Sequence, residues 1–119
     1  MITVTTSEDI MPESKTFYIS VLFFKSGDLW VAQCLEYDIV AQGSNLSNVT
    51  RSFEHTFIGQ IILDIQQGKE PLYGFGQAPP KYWEKFDIGE LLTERKSFSI
   101  KQEDPLGYII VVQDRRIFT

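Results

Sequence analysis

Few side chains in this sequence could carry out catalysis or hold a metal ion. His55 is the only histidine and Cys34 the only cysteine, so neither a zinc site nor a disulfide can be built from them. His55 lies about 200° around a predicted helix from Phe53, on its polar side, which indicates an exposed residue without a catalytic role. Cys34 alternates with Trp30 and Ala32 along a predicted strand, which indicates a small, buried, apolar residue.

Two carboxylates, Glu36 and Asp38, lie where a predicted strand ends. They could face the same way, as metal binding or acid–base chemistry requires, but two carboxylates alone do not make a site. The sequence Gly74-Phe75-Gly76 has the glycines of a phosphate-binding loop without the lysine in register. We therefore expect no enzyme activity, no cofactor and no metal ion.

The charge of the chain is unevenly distributed. There are 11 basic and 16 acidic residues, and the entire net charge of -5 arises up to Gln66, because basic and acidic residues balance from Gln67 onward. No segment forms the basic stripe that contacts with phosphates require, so direct binding to nucleic acid is not expected. An acidic surface can instead attract and cover a basic protein surface.

The composition is that of an ordinary globular protein of one domain. The chain has 119 residues, of which 43% are hydrophobic and 23% charged. Its longest apolar stretch, residues 17–24, is far shorter than the roughly 18 residues of a membrane span. Acidic residues at Glu8, Asp9 and Glu13 lie where a signal peptide would be apolar. A cytoplasmic location is therefore expected.

The first half of the sequence predicts a meander and a helix. Residues 17–24, 29–35 and 38–42 have the composition of strands joined by short turns, the last ending at Gly43. From Leu46 to Gln66 the apolar period changes to about 3.6, with Asn45 or Ser44 as N-cap and Gly68 in position to end the helix. The apolar stripe of this helix should lie on the core face of the meander.

The second half predicts a loop over residues 69–80, a short helix opened by Pro80 and a C-terminal hairpin. The apolar face of the short helix would contain Tyr82, Trp83 and Phe86, with Leu91 and Leu92 near its end. These aromatic residues either pack on the sheet or form an exposed patch of the kind that anchors protein interfaces.

The hairpin would join residues 97–101 and 108–112 through a turn at 103–107. The strand at 108–112 is too apolar to remain an exposed edge, so it should extend the sheet or pair between protomers, and a homodimer is expected.

The predicted fold class is therefore α+β. An antiparallel three-stranded meander packs on one long helix, with a second short helix and a C-terminal β-hairpin. Within the single domain, 1–119, we expect an extended segment at 1–15, the meander and helix at 16–68, and the remaining elements at 69–119.

Residues 17–61 resemble the HicB antitoxin family. Their sequence is FYISVLFFKSGDLWVAQCLEYDIVAQGSNLSNVTRSFEHTFIGQI. The shared features are two strands joined by a turn that contains glycine, a junction at CLEYDI, a third strand that ends in Ala-Gln-Gly, and a capped amphipathic helix. The resemblance implies a partial ribonuclease H-like fold that neutralises a small basic HicA-like toxin, which cleaves RNA, by covering its active surface.

The sequence departs from the family pattern in three places. Asn48 stands where an acidic residue commonly follows the helix cap, so the capping box is incomplete. The first strand has no Asp that could help to hold magnesium, so ribonuclease H chemistry is not expected. After Gln66 the net charge is zero and only one helix is predicted, so promoter binding by this chain alone is not expected.

Three functional hypotheses follow. The first is an antitoxin whose acidic residues Asp28, Glu36 and Asp38, with Tyr37 as contact area, bind the basic partner; the helix of Tyr82, Trp83 and Phe86 is the secondary candidate interface. The second is a stand-alone inhibitor or adaptor on the same fold, for instance from a phage or other mobile element, that acts on another nucleic-acid-processing complex. The third is a divalent-metal hydrolase, which requires carboxylates that converge in the fold.

Overall fold

The computed structural model describes residues 15–93, 96–100 and 108–119. The predicted extended segment before Lys15 and the predicted turn at 103–107 lie outside this part. The described residues form six strands and two helices in the following order: β1 (Lys15–Ser26), β2 (Leu29–Cys34), β3 (Val40–Gly43), α1 (Leu46–Gln66), α2 (Pro80–Ile88), β4 (Glu90–Thr93), β5 (Lys96–Ile100) and β6 (Tyr108–Phe118).

All six strands belong to one mixed sheet in the order β3-β2-β1-β6, with β4 and β5 both paired to the far edge of β6. The pairs β1–β2 and β2–β3 are antiparallel and form the predicted meander. Strands β5 and β6 are antiparallel, as predicted for the C-terminal hairpin. Strands β1 and β6 are parallel over their whole shared length, which places β1 inside the sheet.

Helix α1 has the predicted bounds and the predicted caps. The side-chain Oδ1 of Asn45 accepts a hydrogen bond of 2.8 Å from the backbone N of Asn48, and Gly68, with φ of 73°, ends the helix in the left-handed region. The apolar stripe is buried against the meander, as predicted, and also against β6, which was not predicted; its buried residues on the helix are Val49, Phe53, Phe57 and Ile61.

Helix α2 lies on the opposite face of the sheet from α1. Phe86 of α2 is buried in a second cluster with Leu22 and Leu35, which alternate with the residues of the α1 cluster. Tyr82 and Trp83 pack half-buried on the same cluster, so the aromatic residues of α2 pack on the sheet. The apolar run in the second half of β1 follows from this arrangement, because Val21 and Phe23 are buried on one face and Leu22 on the other.

The structure corrects two of the predicted elements. Leu91 and Leu92 belong to strand β4 and not to the short helix, because α2 ends at Ile88 and Gly89 is already extended, with φ of -76° and ψ of 162°. Strand β6 runs to Phe118 and not only to residue 112, because its second half continues along β1 and also pairs with β4.

The apolar strand that motivated the homodimer prediction lies within the sheet. Tyr108, Ile110 and Val112 are buried in the cluster with α1. Their burial within one chain means that this face of β6 needs no second protomer to cover it. The homodimer stays a prediction, for which a different surface has to be considered.

The close approach of α1 to the meander can be tested by substitution at Gly43. A Cβ atom added at Gly43 would lie 2.5 Å from the backbone N of Val49, whereas one added at Gly59 would meet nothing within 4 Å. Gly43→Ala should therefore lower the free energy of unfolding by about 1–3 kcal/mol. Gly59→Ala, the matched control in the middle of α1, should raise it by about 0.5–1 kcal/mol. Chemical denaturation of both variants measures these changes, and an unchanged stability of Gly43→Ala would contradict the packing.

Candidate interaction surfaces

Glu36, in the junction between β2 and β3, is bound to the backbone of β1. Its Oε1 accepts a hydrogen bond of 2.7 Å from the backbone N of Ser20, where the register of β1 against β6 shifts between Ile19 and Ser20. The carboxylate therefore satisfies a backbone N–H at an irregular point of the central strand. It is half-buried, and we assign it a structural role in addition to its charge.

Tyr37 belongs to the edge of the α1 cluster. Its ring meets the rings of Phe17 and Phe57 edge to face, with centroid distances of 5.9 Å and 6.2 Å. Such pairs add to the stability gained from burial. The side chain is half-buried, so only part of it is available as contact area for a partner.

Asp38 carries the exposed charge of the junction. It adopts φ of 54°, in the left-handed region that a short polar residue tolerates best after glycine. Its Oδ1 accepts a hydrogen bond of 2.8 Å from Nε2 of Gln33. Because Gln33 is buried and alternates with Ala32 and Cys34 of the α1 cluster, it holds Asp38 on the side of the sheet that carries α2.

Asp28 lies apart from this junction. It is exposed in the turn between β1 and β2, and the six residues of β2 separate it from the junction. At the usual rise of a strand this is about 20 Å. The structure therefore does not bring together the four predicted binding residues Asp28, Glu36, Tyr37 and Asp38 in one patch.

The surroundings of Cys34 and His55 agree with the sequence predictions. His55 is exposed on α1, and Cys34 is fully buried. Burial raises the pKa of the Cys34 thiol from 9.0 to about 12, and the nearby Glu36 carboxylate acts in the same direction. Among the described residues, no group of three or more His, Cys, Asp or Glu side chains could hold a metal ion.

Two basic side chains, one on α2 and one on β6, lie over aromatic rings between α2 and the sheet. The Nζ of Lys85 lies 5.3 Å from the ring centroid of Phe24, 5.5 Å from that of Phe118 and 5.9 Å from that of Tyr82. The guanidinium of Arg116 lies 4.9 Å from the ring of Phe86. These cation–π contacts direct positive charge toward the aromatic rings between α2 and the sheet. The contacts of Lys85 with Phe24 and Phe118, and of Arg116 with Phe86, were not predicted, because they join α2 to strands far away in the sequence.

A shallow groove runs along α2 and the loop before it. We call it the Trp83 groove; it is lined by Gln77, Ala78, Pro80, Trp83, Glu84 and Asp87. The indole N–H of Trp83 donates a hydrogen bond of 3.2 Å to the carbonyl of Ala78. The backbone N–H of Ala78 in turn donates a hydrogen bond of 2.8 Å to the carbonyl of Leu35, directly after β2. Ala78 in the wall of the groove is thus hydrogen-bonded to α2 through its carbonyl and to Leu35 through its N–H.

The polar side chains of the Trp83 groove are acidic or uncharged. Glu84 and Asp87 are both exposed, and residues three apart on a helix are neighbours on its surface. The lining contains no Lys or Arg. An apolar indole beside two carboxylates can accept a Lys or Arg side chain, which has an aliphatic stem and a charged end. Sequence reasoning named Trp83 but overlooked these two carboxylates, although their spacing within the short helix was visible.

A second cleft lies beside the end of α1, where Asp64 is buried. Its two carboxylate oxygens accept hydrogen bonds of 3.0 Å from Nε2 of Gln60 and 2.8 Å from the backbone N of Leu72. Leu72 is buried and adopts φ of 62°. Both carboxylate oxygens of Asp64 therefore accept hydrogen bonds within the chain, and one of these bonds holds the loop after α1 in place.

No protein-family model, curated protein or solved structure matches this chain. In the described residues, no helix is both long enough and apolar enough to cross a membrane.

The environment of Cys34 gives a prediction about its reactivity. With a pKa of about 12, roughly one thiol in 10,000 would be ionised at pH 8, and the thiolate is the reactive form. A disulfide reagent such as DTNB should therefore leave the native protein unmodified at pH 8 and label it fully after denaturation. Rapid labelling of the native protein would show that Cys34 is accessible and ionised.

Proposed function

We propose that this chain is a HicB-like, antitoxin-type binding protein with a partial ribonuclease H-like fold. It neutralises a small basic toxin that cleaves RNA, by masking the surface of that toxin. In this proposal the chain acts by binding and not by catalysis.

The order of the elements over residues 17–61 supports the proposal. The resemblance to HicB predicts two strands around a turn with glycine, a junction, a third strand and a capped helix. Strands β1, β2 and β3 and helix α1 follow in this order, with Gly27 at φ of 64° in the first turn and Asn45 as the cap.

The single observation that carries the binding proposal is the chemistry of the Trp83 groove. Glu84 and Asp87 lie beside the half-buried Trp83, and the Nζ of the half-buried Lys85 lies over three aromatic rings. Trp is one of the residue types that contribute most to binding at protein interfaces. The groove therefore offers a basic partner one aromatic anchor and two carboxylates.

Asp38 extends this surface on the same side of the sheet. Gln33 holds its carboxylate there, and Leu35, three residues before Asp38, accepts a hydrogen bond from the backbone N–H of Ala78 in the groove. The proposed interface therefore consists of the Trp83 groove with Asp38. Exposed carboxylates at such a site accelerate the association with a basic partner more than they increase the final affinity.

The test begins with affinity purification of the tagged chain from its native host and identification of the protein that co-purifies. The proposal predicts a small basic protein that cleaves RNA and loses this activity in the complex. The double variant Glu84→Gln with Asp87→Asn should slow association by about tenfold at low salt, and the effect should shrink at high salt. Surface-immobilised kinetics at both salt concentrations measures the rates.

The matched control is the double variant His55→Lys with Thr56→Lys. Both positions are exposed on α1, on the other side of the sheet, and the control changes the net charge by the same two units as the groove variant. Equal slowing in both variants would show that only the net charge matters. An association rate that is insensitive to the groove variant, or a partner that does not cleave RNA, would contradict the proposal.

A further inference from the structure

The two carboxylates of the Trp83 groove have no counterion in the part of the chain that the structure describes. Glu84 and Asp87 are both exposed, and among the described residues neither carboxylate takes part in a hydrogen bond or an ion pair. Side chains three residues apart on a helix have their Cβ atoms about 5–6 Å apart. The two carboxylates therefore form one pair of negative charges on the surface of α2.

The basic side chains around α2 have other contacts. Lys81 and Lys85 lie over aromatic rings, Lys81 at 5.0 Å from the centroid of Tyr82. Arg116 donates to two backbone carbonyls near the end of α2 and forms an ion pair of 3.3 Å with Asp114. None of these three basic side chains lines the groove. The pair of carboxylates is therefore available to a cation from another molecule.

The indole of Trp83 gives the groove an aromatic surface without a free hydrogen-bond donor. Its N–H is already bound to the carbonyl of Ala78, and this bond fixes the orientation of the ring. Asp87 follows Trp83 by four residues, so its carboxylate is a neighbour of the ring on the helix surface. The groove has a volume of about 580 Å³, within the range of roughly 300–1,000 Å³ for sites that hold small ligands. A long side chain can therefore lie in it along its length.

An arginine side chain matches this combination better than a lysine side chain does. The guanidinium group is planar, so it can stack on an indole while its N–H groups, in the same plane, donate hydrogen bonds to carboxylates. Its fork of donors can serve two carboxylates at once. The ammonium group of lysine is compact and strongly hydrated, so contact with an aromatic ring costs it more hydration.

We propose that the Trp83 groove is an arginine-binding site. The guanidinium of one arginine stacks on Trp83 and donates hydrogen bonds to Glu84 and Asp87, while the aliphatic stem lies along the groove. This inference rests on the proposed function, because the basic partner supplies the arginine. It adds a preference for arginine over lysine, which net charge alone would not produce.

Nuclear magnetic resonance of the isotopically labelled full chain tests the site without the partner. The probes are two peptides with blocked ends, Gly-Gly-Arg-Gly-Gly and Gly-Gly-Lys-Gly-Gly, which carry the same charge. At low salt the arginine peptide should shift the indole N–H resonance of Trp83 in a saturable way, with a dissociation constant in the millimolar range. The lysine peptide should bind at least about threefold more weakly.

The second tryptophan of the chain is an internal control. The ring of Trp30 lies in the meander, with the Nζ of Lys25 at 5.6 Å from its centroid. Its indole resonance should therefore not shift with either peptide.

Three variants test the roles of the groove residues. Glu84→Gln and Asp87→Asn should each weaken binding of the arginine peptide by about threefold or more. Trp83→Leu should abolish the preference for arginine, because the aromatic face is lost. Asp28→Asn is the matched control: it removes one exposed carboxylate from the turn between β1 and β2 and should leave binding unchanged. The same spectra show whether each variant is folded, and the two carboxylate variants decide the test if Trp83→Leu is not.

Absence of a saturable shift at Trp83 with up to about 50 mM arginine peptide would overturn the proposal. So would equal binding of the two peptides, or a loss of binding in Asp28→Asn as large as in the groove variants. Any of these results leaves the proposed function intact if the co-purified toxin is still bound and inhibited. Conversely, arginine binding at Trp83 supports the site even where the co-purified partner does not cleave RNA.

Discussion

The parallel pairing of β1 with β6 is the interaction on which the rest of the structure depends. It places β1 inside the sheet, so that apolar side chains on both of its faces are buried. Phe17, Ile19 and Val21 pack under α1, while Leu22 and Phe24 pack under α2. The pairing also sets the register shift at Ser20, where Glu36 binds the backbone. Both helices are therefore positioned by one pair of strands that lie far apart in the sequence.

The elements with strong local signals could be predicted from the sequence. The apolar period and the Asn45 cap defined α1, and the turn around Gly27 defined the first hairpin. The parallel pair could not be predicted, because an apolar strand has the same sequence pattern whether its neighbour is parallel or antiparallel. The packing of Tyr82, Trp83 and Phe86 on the sheet was one of two alternatives open from the sequence, and the second apolar cluster confirms it. Strand β4 was missed because Leu91 and Leu92 also fit the end of an amphipathic helix.

The candidate site was predicted only in part, because contacts between distant parts of the chain determine where its side chains lie. Residue type suggested that Glu36 and Tyr37 reach outward, but the backbone N–H of Ser20 and the rings of Phe17 and Phe57 draw both side chains toward the sheet. Trp83 was predicted as a secondary contact, and the structure adds Glu84 and Asp87 beside it. Lys85 and Arg116 lie over aromatic rings between α2 and the sheet, whereas Lys81 of α2 is exposed and lies over the ring of Tyr82.

In the proposed complex, a basic partner covers the side of the sheet that carries α2. Hydrogen exchange of the chain, measured alone and in complex with its co-purified partner, tests this most directly, because a covered backbone exchanges more slowly. We expect added protection over residues 77–88 and at the junction around Asp38, and unchanged exchange along the exposed side of α1. Protection confined to α1, or to the turn that contains Asp28, would contradict it.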